Sequence, residues 1–212
     1  MFNEYVTKAQ KQIPSLKIKY KNESLFMKIL SFILFFNKDF STKYVTTIGS
    51  TIYYPSKQFI EKNEISASVI LMHEMIHIYD SKRLSGVLFS FLYLFPQILA
   101  LLSFLGFINP YFFLFAVCLL PIPALFRSYF EYRAYTISMY ASYHMSQKHD
   151  YIWSPTIAIN GYINNFINGN YYFMFPFKSY LIKLFYTKLN SIENGEIPLE
   201  WKATAMIDSV LK

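Results

Sequence analysis

Apolar and polar residues recur along the chain with spacings that predict one small β-hairpin and a series of helices. Residues 43–48 and 51–54 are β-branched and aromatic, and Gly49-Ser50 between them suits a type II′ turn. Apolar positions three to four residues apart predict helices from Asn63 or Ser66 to about residue 83 and at 125–145, 177–191 and 199–212, with another starting at Pro155. The expected fold is therefore α+β and mainly helical, with a small β-hairpin or sheet.

Two long apolar stretches stand out from this pattern. Residues 25–36 are shorter than the roughly 20 residues that span a bilayer, which favours a buried or interfacial helix. Residues 84–126 contain no Asp, Glu, Lys or Arg, and turn residues at 106–110 divide them into two segments of about 20 residues. We expect an inserted apolar helical hairpin that crosses a membrane, and the alternative is a hairpin buried against protein. The prolines that would kink its helices are Pro96, Pro121 and Pro123.

The charges that flank this run indicate its orientation. Lys82 and Arg83 precede it, and Arg127 and Arg133 follow it, whereas the loop between its halves is uncharged. Because positive residues collect on the cytoplasmic side, both ends are expected there. The N-terminal residues do not form an apolar segment followed by a small-residue cleavage site, so no secretory signal is expected.

Composition narrows the class of protein. The 212 residues suggest a single domain, and with 54% apolar and 16% charged residues the chain is neither disordered nor collagen-like. A lone cysteine, Cys118, excludes an intramolecular disulfide framework and a multi-cysteine zinc site. The net charge of +7 is scattered along the chain, so contact with membrane lipid is expected rather than contact with nucleic acid.

Residues 73–77 read His-Glu-Met-Ile-His, an HExxH motif inside the first long predicted helix. Residues four apart on a helix share a face, so His73 and His77 can bind one Zn²⁺. Glu74 lies about 100° round the helix from His73, where it can take a proton from a water on that ion. The alternative is a pair of ordinary histidines on a half-buried helix.

A catalytic zinc ion takes a third protein ligand, and two acidic residues are candidates. An unbroken helix carries Asp80 about one turn past the metal, so it is expected to support a ligand or to be a solvated charge. Glu131 follows the apolar run, and a hairpin there would bring its helix beside the motif helix. Glu131 is therefore the preferred ligand, and the alternative is an ion pair with Arg127. His144 and His149 are expected to be core or surface histidines rather than substitute ligands.

The order of these features resembles that of zincin metallopeptidases of the gluzincin branch. The motif, the two-segment apolar run and the later stretch are similar to membrane zinc proteases of the CAAX prenyl endopeptidase and heat-shock protease type; that stretch reads Phe130-Glu131-Tyr132-Arg133-Ala134-Tyr135. The resemblance covers about residues 43–140. It implies one zincin-like domain over residues 1–212, with His73, His77 and Glu131 as zinc ligands and Glu74 as the general base.

The resemblance also implies roles for residues around the motif. The family has Asp where this chain has Tyr135, so support for a ligand histidine must come from elsewhere, with Asp80 as a candidate. Zincins bind a peptide against an edge strand beside the metal. Thr51, Ile52 and Tyr53 would form that strand, and a plain structural hairpin is the alternative.

The sequence thus predicts a zinc-dependent metallopeptidase that hydrolyses a peptide or protein at the cytoplasmic face of a membrane. A second hypothesis is a non-catalytic membrane-hairpin or structural protein with a vestigial or structural zinc site, which Tyr135 favours. A third hypothesis keeps zinc hydrolysis but changes the substrate to a cell-wall peptide or another amide.

Overall fold

The computed structural model describes residues 1–33, 37, 39–120, 122–149, 151–168 and 174–212. The α-helices in this part of the chain are α1 (Phe2–Gln12), α2 (Leu25–Ile33), α3 (Lys57–Lys62), α4 (Glu64–Leu84), α5 (Gly86–Leu94), α6 (Leu125–Lys148), α7 (Pro155–Ile167), α8 (Lys178–Glu193) and α9 (Trp201–Leu211). The strands are β1 (Lys17–Tyr20), β2 (Thr46–Ile48) and β3 (Thr51–Tyr54), and the 3₁₀ helices are Lys21–Glu23, Gln97–Phe107 and Pro110–Leu119. The chain is mainly helical with one small mixed sheet, as the α+β prediction requires.

The predicted helices are present, and their first residues follow from capping chemistry. α4 begins after Asn63, whose side-chain Oδ1 accepts a hydrogen bond from the Ser66 backbone N–H at 2.9 Å. α7 begins at Pro155, a position where the missing N–H of proline costs nothing. α1 was not predicted, although its buried residues recur at helical spacing; these are Phe2, Tyr5 and Ala9.

The three strands form one sheet in the order β1-β3-β2. β2 and β3 are the predicted antiparallel hairpin, and Gly49 in its turn has φ +60°, which favours glycine. β1 pairs in parallel with β3 over its whole length and was not predicted. Its signal is the alternation of Leu16, Ile18 and Tyr20 with lysines, which is the period of a half-buried strand.

The chain folds into two compact units, and α4 and α6 each contribute to both. The first unit contains the sheet, and Tyr54 at the end of β3 is fully buried there. Its ring meets that of Phe2 edge-on at 5.4 Å, and its hydroxyl donates to the Ala67 carbonyl at 2.8 Å. Tyr54 therefore joins the sheet to α1 and to the start of α4. The first unit comprises Met1–Tyr79, Thr136–Trp153 and Ile197–Lys212.

The second unit has an aromatic core formed by α6, α7 and α8. The Phe185 ring lies 5.3 Å from that of Tyr132 and 5.9 Å from those of Tyr162 and Phe166. The Ala124 backbone N–H donates to the Met174 carbonyl at 3.0 Å, which fixes the chain where α6 begins. This unit comprises Asp80–Tyr135 and Ser154–Glu196.

α4 is buried on every side over residues 71–78, which makes it a core helix rather than a half-buried one. The apolar residues there are Leu71, Met72, Met75, Ile76 and Ile78. The polar residues in the same stretch are His73, Glu74 and His77, each at most 8% exposed. Burial of polar side chains is costly unless they are paired, so these three residues need partners within the protein or a bound ion.

The apolar run at 84–126 differs from the two long helices that its length predicted. It consists of α5 and two 3₁₀ helices, because Pro96 ends the first helical segment and Pro110 begins the last. In the described part of the chain no individual helix combines the length and hydropathy needed to cross a bilayer. α5 and Gln97–Phe107 meet that requirement only as a pair, with a bend of 85° between them. Pro121, also expected to kink the run, lies outside the described residues.

Candidate metal centre

The two histidines of the motif lie on one face of α4, as their spacing predicts. Their rings are 5.0 Å apart and nearly perpendicular, with an interplanar angle of 78°. His73 is 8% exposed and His77 is 7% exposed, so both imidazoles are withdrawn from solvent. Paired buried imidazoles on one helix face have the spacing that a shared metal ion requires.

Glu131 of α6 joins the two histidines to form a group that can hold a metal ion. One ligand atom from each of His73, His77 and Glu131 lies within 4.8 Å of the others, and all three residues are buried. An ion bound about 2 Å from each donor in tetrahedral geometry needs donors about 3.3 Å apart. Small side-chain rotations therefore suffice to close the site, and two imidazoles with one carboxylate suit zinc chemistry. Among the described residues no other group of three or more His, Cys, Asp or Glu side chains comes so close together.

A serine on α6 orients the first histidine of the motif. His73 Nδ1 and Ser138 Oγ form a hydrogen bond of 3.1 Å, so Nε2 is the His73 nitrogen that would bind an ion. Such a contact fixes both the ring orientation and the tautomer of a metal-binding histidine. Ser138 follows Glu131 by seven residues, or about two helical turns, so a search along the same face of α6 could have found it.

A tyrosine of the apolar run holds the carboxylate of Glu131. The Tyr93 hydroxyl donates to Glu131 Oε1, and the Tyr93 carbonyl accepts from Arg127 Nε at 2.9 Å. Neither contact was predicted. Sequence reasoning could have singled out Tyr93, because it is the only tyrosine in the first half of this uncharged, apolar run. A hydroxyl donor of this kind keeps a buried carboxylate in one orientation.

Glu74 lies next to His73 on α4 and is 7% exposed. Its charge acts on two groups of the same unit, Lys21 and Tyr54. Burial lowers the pKa of Lys21 to about 8, and the nearby Glu74 carboxylate opposes that shift. Burial, and secondarily Glu74, raises the pKa of Tyr54 well above its usual value. The Glu74 charge therefore acts on the residue that follows β1 and on the last residue of β3.

Asp80, expected to support a ligand or to be solvated, forms a buried ion pair. Arg133 Nε donates to Asp80 Oδ2 and Arg133 Nη2 donates to Asp80 Oδ1, both at 2.9 Å. Asp80 is 3% exposed, so it is not a solvated helix charge. The pair joins α4 to α6 within the second unit, one turn beyond His77.

We expect Asp80→Asn to destabilise the protein by about 3–5 kcal/mol, because it removes a carboxylate charge that is paired with the buried Arg133 guanidinium. The measurement is the free energy of unfolding in urea. Asp39→Asn is the matched control, since its ion pair with Lys43 is solvent-exposed and is worth about 1 kcal/mol or less. Equal small losses in both variants would contradict a structural role for the buried pair.

Tyr135, which occupies the position of the family aspartate, packs among aromatic residues. Its ring stacks on that of Tyr162 at 4.5 Å, and its hydroxyl accepts from Asn165 Nδ2 at 2.7 Å. It therefore contributes to the core of the second unit, where it is 9% exposed.

His144 and His149 both lie near the end of α6 in the first unit, and neither belongs to the three-residue group. His144 packs edge-on against Tyr140 at 4.4 Å, and burial lowers the pKa of its imidazole. His149 Nε2 shares a hydrogen bond of 3.0 Å with the Tyr5 hydroxyl. Both have the core and surface contacts expected of structural histidines.

The strand expected to bind substrate lies in the middle of the sheet. Thr51, Ile52 and Tyr53 pair with β1 on one side and with β2 on the other, so the expectation that they offer a free edge is wrong. The error arises because β1, distant in sequence, occupies the edge of β3 that a lone hairpin would expose.

No protein-family model matches this chain, and comparisons with curated proteins and with solved structures give no match either. The resemblance to membrane zinc proteases therefore depends on the spacing of His73 and His77 and on Glu131.

Proposed function

We propose that this protein is a zinc-dependent metallopeptidase with a zincin-like core. The observation that carries the proposal is the buried group of His73, His77 and Glu131, which can hold a metal ion, with Glu74 adjacent to it in sequence. A bound cation accounts for buried imidazoles and carboxylates in a protein core more readily than packing does. The HExxH spacing adds a general base to the same helix.

The proposed mechanism assigns one role to each of these residues. His73, His77 and Glu131 would hold the ion, and a bound ion would supply Lewis-acid chemistry for the peptide carbonyl and the attacking water. The Glu74 carboxylate accepts the proton of the attacking water and passes it to the departing amine. Ser138 and Tyr93 hold His73 and Glu131 in their binding orientations through the hydrogen bonds described above.

A peptide substrate would bind by adding a strand to the sheet. Since β3 is paired on both sides, the strands that can accept a peptide are β1 and β2, which are the outer strands in the described part of the chain. β1 is the better candidate because the next residue after it is Lys21, and the charge of the Glu74 carboxylate acts on the pKa of Lys21.

The proposed location is a membrane, with the metal group on the cytoplasmic side. Support comes from the uncharged run at 84–126 and from the large apolar side chains that it exposes. Val87, Phe107, Ile108 and Tyr111 are each at least 79% exposed, and large apolar side chains exposed in this way favour contact with lipid or a protein partner. The positive residues at both ends of the run favour the cytoplasmic orientation.

The competing hypothesis is a non-catalytic protein whose metal organises the fold. Tyr135 favours it, because this chain carries no carboxylate where the resembling proteases have Asp. Hydrolysis of a peptide by the purified protein distinguishes the two, since a purely structural metal would support none.

We expect the purified protein to cleave an unstructured protein such as reduced casein, and a chelator to stop the cleavage. Adding Zn²⁺ back should restore the activity and adding Mg²⁺ should not, because imidazole ligands favour zinc over a hard cation. The measurement is peptide release over time. Cleavage that persists unchanged in the chelator would contradict metal-dependent hydrolysis.

A further inference from the structure

α2 presents an apolar stripe to solvent. Five large apolar side chains on this nine-residue helix are each at least 53% exposed, and Phe32 is 82% exposed. At 100° per residue these five positions fall within about 120° of the helix surface. The stripe consists of Leu25, Phe26, Ile29, Phe32 and Ile33.

The opposite face of α2 is the one that packs against the protein. Met27 is 1% exposed and lies on the far side from Leu25, so the helix is seated with its apolar stripe outward. Ser24 caps the helix by accepting from the Met27 backbone N–H at 3.3 Å. Lys28, also exposed, borders the stripe next to Phe32. A cation that borders an exposed apolar stripe is the arrangement of a helix lying in a membrane interface.

A cavity of about 440 Å³ adjoins this helix and is rich in groups that bind anions. Its described lining contains two lysines, four hydroxyl side chains and no Asp or Glu. Ser31 and Ser41 hydrogen-bond to each other, and Ser56 caps α3 by accepting from the Phe59 backbone N–H at 3.2 Å. The volume of the cavity lies in the range of small-molecule sites, roughly 300–1,000 Å³. The charged and hydroxyl residues that line it are Lys21, Lys28, Ser31, Ser41, Thr42 and Ser56.

Lys21 gives this cavity a buried positive charge. It is 3% exposed, and its ammonium donates to the Phe40 carbonyl at 2.6 Å while lying 3.8 Å from the centre of the Phe40 ring. A carbonyl and a ring face orient the ammonium, and the Glu74 carboxylate favours its charged form. With its pKa near 8, Lys21 is mainly protonated at pH 7. The charge is thus held in place for an anionic group.

We propose that α2 and this cavity bind the surface of an anionic phospholipid membrane, with the apolar stripe among the acyl chains and one lipid phosphate in the cavity. The apolar stripe would bury its hydrophobic surface among the acyl chains. The cavity, whose described lining includes two lysines and no Asp or Glu, would attract the negatively charged phosphate. Lys28 belongs to both features, because it borders the stripe and lines the cavity. This surface lies within the first unit and contains none of the three residues of the metal group, so the proposal does not rest on peptidase activity.

The test places an environment-sensitive fluorophore on the stripe of the full chain. Phe32→Cys is labelled in a Cys118→Ala background and mixed with vesicles of phosphatidylcholine, with or without phosphatidylglycerol. We expect the emission to shift to the blue with the anionic vesicles and to change little with the neutral ones. A chelator should leave the result unchanged. An equal shift with both kinds of vesicle would overturn the role of the phosphate.

Charge reversal beside the stripe tests the cavity. We expect Lys28→Glu to weaken binding to anionic vesicles about 10-fold or more, because each lysine near the surface contributes attraction that the reversal turns into repulsion. Lys202→Glu on α9 is the matched control and should change binding much less, since Lys202 is exposed but neither lies on α2 nor lines the cavity. Equal losses in both variants would overturn a specific cavity.

Two further controls distinguish insertion of α2 into lipid from general adsorption of the chain and from binding of a free anion. A fluorophore at the highly exposed Ile152, introduced as Ile152→Cys in the same background, should not shift, and a shift equal to that at residue 32 would overturn insertion by α2. Inorganic phosphate alone should leave the emission of the residue 32 label unchanged while competing with the vesicles. Phosphate binding without any response to anionic vesicles would show a free-anion site and overturn the membrane proposal.

Discussion

Glu74→Gln protein is expected to retain its metal and to lose peptide hydrolysis by a factor of about 10²–10⁴. Glutamine keeps the size and hydrogen-bonding shape of the side chain but cannot accept the proton of the attacking water. Glu74 is not one of the three residues whose donor atoms cluster, so its replacement leaves the ligand set intact. The measurements are metal content per chain and the rate of cleavage of an unstructured protein.

Glu61→Gln provides the matched control for this substitution. Glu61 lies on α3, is exposed and pairs with Lys57 at 3.5 Å, so the same chemical change there should leave hydrolysis unaffected. Full activity in Glu74→Gln would eliminate Glu74 as the general base. Loss of the metal from Glu74→Gln would show instead that Glu74 maintains the ligand geometry, and the catalytic assignment would have to move to another residue.

Local pattern predicted the elements that carry the metal group. The spacing of His73 and His77 depends only on helix geometry, and Asn63 provides a local cap where α4 begins. The hairpin of β2 and β3 was predictable for the same reason, because Gly49 supplies a backbone conformation that other residues rarely adopt.

Contacts between distant segments were the part that sequence reasoning missed. β1 pairs with a strand more than thirty residues away, and nothing local to Lys17–Tyr20 indicates which partner it takes. The same is true of the hydroxyl groups of Ser138 and Tyr93, since serine and tyrosine are common and only their neighbours give them a role. Because β1 was not predicted from the sequence, Thr51, Ile52 and Tyr53 were wrongly expected to lie at the edge of the sheet.

The apolar run shows that hydropathy and helical continuity are separate properties. An uncharged stretch of 43 residues predicts burial in lipid or protein, but Pro96 and Pro110 interrupt the backbone hydrogen bonds that one long helix would need. The same run supplies Tyr93, which holds Glu131. A segment interpreted by its hydropathy alone thus also contributes a polar contact to the metal group.

Metal content should fall in a graded series when ligands and their supports are replaced. We expect about one zinc ion per wild-type chain, and the ion should be lost from His77→Ala and from Glu131→Gln, because either change removes one of three donors. Tyr93→Phe should retain the ion with roughly 10–100-fold weaker affinity, since it removes only the hydrogen bond that orients Glu131. The measurements are metal analysis of the purified protein and competition with a zinc-binding dye.

The controls for this series make the same kind of substitution at residues outside the metal group. His144→Ala removes an imidazole that packs on Tyr140, and Glu196→Gln removes an exposed carboxylate, so both should leave the metal content unchanged. Retention of zinc in Glu131→Gln together with its loss from His77→Ala would remove Glu131 from the site and, with it, the need for α6 to complete the ligand set. Loss from Glu131→Gln with a weakened site in Tyr93→Phe would instead tie zinc affinity to the apolar run, because that run carries the Tyr93 hydroxyl that donates to the third ligand.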